Sequence, residues 1–310
     1  MSLKEKEKLR NALVEGNLLI LQDFLHEDTD YVFTVKFEEN SSCLHVACWF
    51  NQQEIIEELI DWEHPLELID DAGATPLHYA VWKNNIPLAL FLLNKGVDIN
   101  SLDKSGKTIL HLAVRNGYRP MISILITKGM NPNISDFEGL TPLHIAATEG
   151  HLTVIQDLVE EYDARINCIT EEGLTPLHLA SLNGFTNIVE KLLEYGSPID
   201  ITDMKGRSAY HHACSRFNDE TVKLLIEKGC NIHLITTDGR SGPECVAERE
   251  RRHEMLKLVE NHVNKLERER REAQELLIEK EKRRLKRLQE EGERLKEIQR
   301  ELEENPTSLG

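Results

Sequence analysis

Aromatic residues make up only 5% of the chain, and no apolar run reaches the roughly 18 residues that a membrane-spanning helix requires. The opening segment MSLKEKEKLR is charged and no apolar segment follows it, so no export signal is visible. The expectation is a soluble chain without membrane insertion, at work in the cytoplasm. Cysteine is spread thinly as Cys43, Cys48, Cys168, Cys214, Cys230 and Cys245, with no C-x-x-C spacing. In a reducing compartment that pattern means free thiols rather than disulfides or zinc, and neither a metal nor a cofactor is expected. With 310 residues and 40% apolar content, one to two compact domains can be built.

Positive charge is the other shortage, and it is local. The net charge is −17. From Glu248 to Glu304 there are 17 basic and 17 acidic residues, which leaves 20 basic against 37 acidic outside that segment. An acidic body of this kind repels phosphate backbones. Nucleic acid is therefore not expected as its ligand, and a basic protein surface is.

One stretch looks like nucleotide chemistry. SLDKSGKTILHLAVRNG contains Gly106-Lys107-Thr108, the way a phosphate loop ends. The first glycine of G-x-x-x-x-G-K-[ST] would fall at position 101, which is Ser101, and the GVDIN before it is too short and polar for a central strand. The residues have a simpler explanation in a repeat. DDAGATPLHYAVWKNN from Asp70 is followed by DKSGKTILHLAVRNG, DFEGLTPLHIAATEG, TEEGLTPLHLASLNG and DMKGRSAYHHACSRF. Thr75, Thr108, Thr141, Thr175 and Ser208 hold one slot, spaced 33 residues apart, or 34 between Thr141 and Thr175. One period upstream lies Ser42, with Asn40 in place of the glycine, a substitution suited to positive φ.

A fixed period of this length marks a solenoid. The motif resembles the ankyrin-repeat family, D-x-x-G-x-T-P-L-H-x-A followed by L-L-x-x-G, over roughly residues 7 to 260. The physical roles are readable. Gly73, Gly106, Gly139, Gly173 and Gly206 supply turns; the Thr and Ser slots cap a first helix; Pro76, Pro142 and Pro176 fit its first turn. Small residues from Ala80 to Ala213 allow close helix approach, and apolar pairs such as Leu92-Leu93 and Leu192-Leu193 give the second helix its buried face. Gly96, Gly129, Gly196 and Gly229 end that second helix, whereas EEYDARIN lacks the glycine and carries the extra residue.

The resulting expectation is an all-α ankyrin solenoid of about seven to eight helix-turn-helix repeats over residues 1–247. It comprises an N-terminal cap at about 7–36, repeats starting near 37, 70, 103, 136, 170 and 203, and a degenerate last repeat at about 236–264. A charged helix or coiled coil over 248–304 overlaps that repeat, and 305–310 form a tail.

His45, His78, His111, His144, His178 and His211 recur at one position and could suggest metal or acid–base chemistry. No carboxylate or cysteine recurs beside them at ligand spacing, and in ankyrin repeats this histidine bonds the turn backbone and links neighbours. The cluster His211-His212-Cys214 falls to the same reasoning. Asn40-Ser41-Ser42 and Asn133-Ile134-Ser135 match glycosylation triplets without the secretory context they need.

The resemblance implies partner binding on the concave face. Carried over by position, the binding set is Trp49, Phe50, Trp82, Lys83, Arg115, Phe137, Leu140, Leu182, Met204 and Arg207. Tryptophan and arginine are hot-spot residues, so Trp49, Phe50, Trp82 and Arg115 are the expected anchors of a basic or amphipathic protein segment. The plainer alternative is that Trp49 and Trp82 only cover grooves between repeats.

In the tail helix, Leu256, Val259, Val263, Leu266, Ala273 and Leu277 follow three–four spacing if Arg270 takes one seam position. The seam resumes one residue out of phase at Leu285, Leu288, Leu295 and Leu302, with Gly292 inside it. Self-association or a coiled-coil partner stands beside a solitary helix held by pairs such as Glu279 with Arg283. KRRLKR, 282–287, reads as a solvated face, with nuclear import the alternative. The functional expectation is a non-enzymatic adaptor; a structural assembly role for the long helix, and catalysis, are the rival classes.

Overall fold

The computed structural model describes residues 2–246 and 249–304. Among them every regular element is a helix, and the remainder is turn and loop with one isolated bridge between Thr202 and Ser208. Helices α1 (Leu3–Glu15) and α2 (Leu18–Glu27) form an initial pair, followed by a short α3 (Thr29–Thr34) that the repeat pattern does not foretell. Six pairs come next: α4 (Cys43–Phe50) with α5 (Gln53–Asp61), α6 (Pro76–Trp82) with α7 (Ile86–Asn94), α8 (Ile109–Arg115) with α9 (Arg119–Thr127), α10 (Pro142–Glu149) with α11 (Leu152–Glu160), α12 (Pro176–Asn183) with α13 (Thr186–Glu194), and α14 (Ala209–Ser215) with α15 (Asp219–Glu227). The long α16 spans Arg249–Glu304.

Each pair starts in the same way because the sequence supplies the same cap. At Ser42, Thr75, Thr108, Thr141, Thr175 and Ser208 the backbone is extended, and the cap N–H donates to Nδ1 of the histidine three residues on, at 3.0–3.2 Å. An imidazole thus takes the place that Glu or Gln holds in the usual reciprocal cap. Since Nδ1 accepts, the proton of the neutral ring sits on Nε2. Nε2 donates to a carbonyl toward the following repeat: Ala74 from His45, Leu140 from His111, Leu174 from His144, Ile201 from His178 and Leu234 from His211, all at 2.9–3.1 Å.

The turns are built just as regularly. Oδ1 of Asp70, Asp103, Asp136 and Asp203 each accepts two backbone N–H groups two and four residues on, at 2.8–3.0 Å. Successive turn tips are stitched together by backbone bonds, such as Lys104 N–H to the Ala72 carbonyl at 2.9 Å and Thr237 N–H to the Lys205 carbonyl at 2.9 Å. The turn glycine is required at such a crossing: Gly73 has φ +82°, and a Cβ there would lie 2.7 Å from the Lys104 nitrogen. Where the second-helix glycine is missing, Glu63 and Asp163 take positive φ instead.

First helices α4, α6, α8, α10, α12 and α14 each pack on the next, and each carries its own second helix. The buried seam between them holds Leu44, Leu77, Leu110, Leu143 and Leu177, and then Tyr210, the largest fully buried side chain. The tyrosine fits because Gly242 lies against its ring, where any Cβ would come within 2.2 Å. The last repeat departs from the expected helix-turn-helix. Only a single 3-10 turn, Pro243–Cys245, stands where its first helix would be, and the opening turns of α16 supply its second. Met255 there is fully buried, Leu258, Val259, Val263 and Leu266 pack against the core, and His262 Nε2 meets Glu227 at 3.1 Å. From Arg271 the described side chains of α16 are exposed, except at Gly292.

Candidate protein-binding face

Two rows of first-helix positions face the inner side of the solenoid, the first of them buried or half-buried. The residue after each recurring histidine, Val46, Tyr79, Leu112, Ile145, Leu179 and His212, forms the floor. One turn further on lie Trp49, Trp82, Arg115, Thr148 and Leu182. The 33-residue period aligns them because every first helix starts from the same cap.

At the α4–α6 end the rings cluster. Trp49 meets Trp82 edge to face at 5.8 Å and Tyr79 at 5.7 Å, and the Lys83 ammonium sits 3.6 Å from the Trp49 ring centre. Tyr79 donates its hydroxyl to Asp70 Oδ2 at 2.9 Å, and burial, reinforced by that bond, pushes the phenol up. The two tryptophans therefore differ. Trp49 is half-buried between Tyr79, Trp82 and Lys83, as groove-covering would have it, whereas Trp82 is 50% exposed with Phe50 open nearby.

From Trp82 a groove of about 730 Å³ runs across α6, α8 and α10, lined among others by Lys107, Leu112, Arg115, Leu140 and Ile145. The structure thus brings Trp82, Arg115 and Leu140 together, with Trp49, Phe50 and Lys83 beside them. Arg115 reaches Glu149 of the next repeat at 3.6 Å. Phe137 and Met204 are 64% and 71% exposed on the turn edge, each lying against the preceding turn glycine, Gly106 and Gly173. Leu182 is half-buried further along, its carbonyl accepting from Asn218 at 2.9 Å. Arg207 is committed to Asp203 at 2.8 Å. Leu112, Ile145, Thr148 and Glu149 belong to the groove yet were not among the expected residues. The residue following each repeat histidine was the available signal for the first two.

The three residues resembling a phosphate-loop ending have other roles. Gly106 is a turn residue at φ +77°, Thr108 is a cap, and Lys107 Nζ lies 3.6 Å from the buried Asp136. At the opposite end His212 Nε2 and Asp203 Oδ2 are 3.1 Å apart. Burial alone would raise that carboxyl, but His212, Arg207 and the backbone N–H of Arg207 outweigh it and hold it far below the usual range. Cys214 is buried and its thiol pushed up by desolvation, so it is not a thiolate ligand. Burial likewise lowers His45, His78, His111, His144, His178 and His211, with His144 and His178 brought to about 4. Among the described residues no group of His, Cys, Asp and Glu is placed to hold a metal ion.

Comparison with known families agrees with this geometry. The model for ankyrin repeats, in three copies, matches residues 9–103, 95–170 and 153–236. The chain belongs to the ankyrin-repeat family. A 42-residue stretch is 45% identical to the potassium channel AKT2/3 of Arabidopsis thaliana, covering 14% of this chain and 5% of the channel. The chain thus spans about 5% of that curated relative's length. Ankyrin repeats are in general protein–protein interaction modules, and among the described residues no helix is long and apolar enough to cross a membrane.

Proposed function

We propose that this chain is a non-catalytic adaptor that grips a protein segment along the groove from Phe50 and Trp82 to Arg115 and Leu140, while α16 mediates self-association. The observation that carries the reading is the half-exposed Trp82. Its ring meets Trp49, and it lines the groove with half of its surface open. A large ring held rigid by its neighbours gives contact area at small entropic cost, which is what a hot spot needs. Trp49 then acts as the support that fixes Trp82. Phe137 and Met204 extend the contact along the turn edge, and Leu182 and Arg207 form its far end.

The fitting ligand is basic and amphipathic. The segment outside 248–304 carries 37 acidic against 20 basic residues, which attracts cations at long range, while the aromatic end receives an apolar side chain. A cytoplasmic site of action is part of this reading, and the free cysteines support it. The test is selection of displayed peptides on the full chain, with counter-selection on Trp49→Ala/Trp82→Ala. Enrichment of Lys- and Arg-containing peptides with an apolar anchor, lost on the variant, supports the reading. Peptides that bind native chain and variant equally, with circular dichroism showing both folded, would move the site elsewhere.

A further inference from the structure

Beyond the last repeat α16 presents an amphipathic surface that is exposed among the described residues. The seam that carries Met255, Val259, Val263 and Leu266 into the last repeat continues, one residue out of phase, as Ile278, Leu285, Leu288 and Leu295, all 45–66% exposed. The intrahelical ion pairs Arg283–Glu279 at 2.6 Å and Lys286–Glu290 at 3.9 Å lie on the opposite face. Residues flanking the seam, Arg284 and Glu291 among them, have no ion-pair partner within the described residues.

Charge along this helix is polarised. Residues 280–287 carry six basic groups and one acidic, a net +5, whereas 288–304 carry three basic and seven acidic, a net −4. Parallel pairing of two copies would lay like charge on like. Antiparallel pairing lays the basic block of each on the acidic block of the other.

We propose that two copies of this chain pair antiparallel through α16 about an axis between residues 286 and 287. This deepens the self-association part of the proposed function and is independent of what the concave face binds. The register follows from the seam. In an antiparallel pair the two seam positions of the heptad face each other, which here sets Leu285 against Leu288 of the second copy and Ile278 against Leu295. In the same register Glu281 faces Gly292, whose missing side chain leaves it room. The flanking positions then match Arg284 with Glu291 and Glu275 with Lys296, opposite charges in both cases. Residue 269 faces residue 304, so the overlap covers the helix from the edge of the solenoid to its last described turn without displacing either body. At about 1.5 Å per residue the two solenoids leave the shared helix about 60 Å apart. Two gripping faces on one rigid spacer raise avidity for a partner bearing two sites.

The experiment uses the full chain with Cys168→Ser and Cys245→Ser, removing the two cysteines that are not buried. Sedimentation should give a dimer, and Leu285→Glu/Leu288→Glu should weaken it at least a hundredfold without lowering the solenoid's melting temperature. Arg284→Glu alone should weaken association about tenfold, and Arg284→Glu/Glu291→Arg should restore it, because each chain then offers the inverted pair. A spin label at Glu272→Cys should report a separation of about 45 Å between copies, against under about 20 Å if the helices run parallel. A monomer at 100 µM or so, a short label distance, a larger oligomer, or a charge swap that fails to restore pairing would each overturn the proposal. None of these outcomes depends on peptide binding at the groove.

Discussion

Acidification should unfold this solenoid through its own caps. Each repeat histidine accepts the cap N–H at Nδ1, so a proton added there turns an acceptor into a second donor facing that N–H. His144 and His178 titrate at about 4 in the folded chain, against 6.5 for an ordinary histidine. The folded pKa values are depressed, so between them and 6.5 the unfolded chain binds more protons. The stability is fully present above about pH 6.5 and drains as pH falls toward 4. Near pH 5 each such group costs somewhat over 1 kcal/mol per pH unit, and the two together about 2–3 kcal/mol per unit. His45, His78, His111 and His211 are lowered too and add in the same direction. Asp203 acts in a separate window, since its depressed carboxyl loses stability only as pH falls below the ordinary carboxylate value. Urea midpoints followed by circular dichroism at pH 7, 6, 5.5 and 5 measure the slope, and His144→Gln should flatten it by about one group's share. A midpoint that stays level or rises between pH 6.5 and 5 would refute the assignment of neutral, Nδ1-accepting rings.

Thr141→Ala should cost about 1–2 kcal/mol in chemical denaturation, because the lost hydroxyl lies 2.9 Å from His144 Nδ1 and 3.2 Å from the Cys168 sulfur. Gly73→Ala should cost more than Gly96→Ala: both have positive φ, but only the first would drive a Cβ into backbone, whereas nothing lies within 4 Å of Gly96. Thermal melts of the two variants check the order. Calorimetry with Mg-ATP or Mg-GTP should show no heat that Lys107→Ala removes.

The repeats are legible in sequence because each unit writes out its own geometry. Thr-Pro-Leu-His specifies cap, first turn, buried seam and inter-repeat bond within four residues, and these contacts are local or one period away. Features that depend on packing escape that code. Helix α3 has no repeat signature. The first helix of the last repeat gives way to a 3-10 turn where Gly242 accommodates Tyr210, a fit that no spacing announces. The division of labour between Trp49 and Trp82 was hidden as well, since it turns on Tyr79 and Lys83 closing over one ring and leaving the other open. Within the groove, Leu112 and Ile145 read in sequence as ordinary apolar helix residues, and only the assembled solenoid makes them line its floor.

The most direct measurement of the central claim is the dissociation rate of a selected basic, amphipathic peptide from the native chain, from Trp82→Ala and from Lys128→Glu on the outer end of α9. The expected result is a rise of about tenfold or more for Trp82→Ala, corresponding to roughly 1.4 kcal/mol, with Lys128→Glu unchanged and added salt slowing association only. An unchanged dissociation rate for a folded Trp82→Ala chain, or a loss confined to Lys128→Glu, would contradict binding on the concave face.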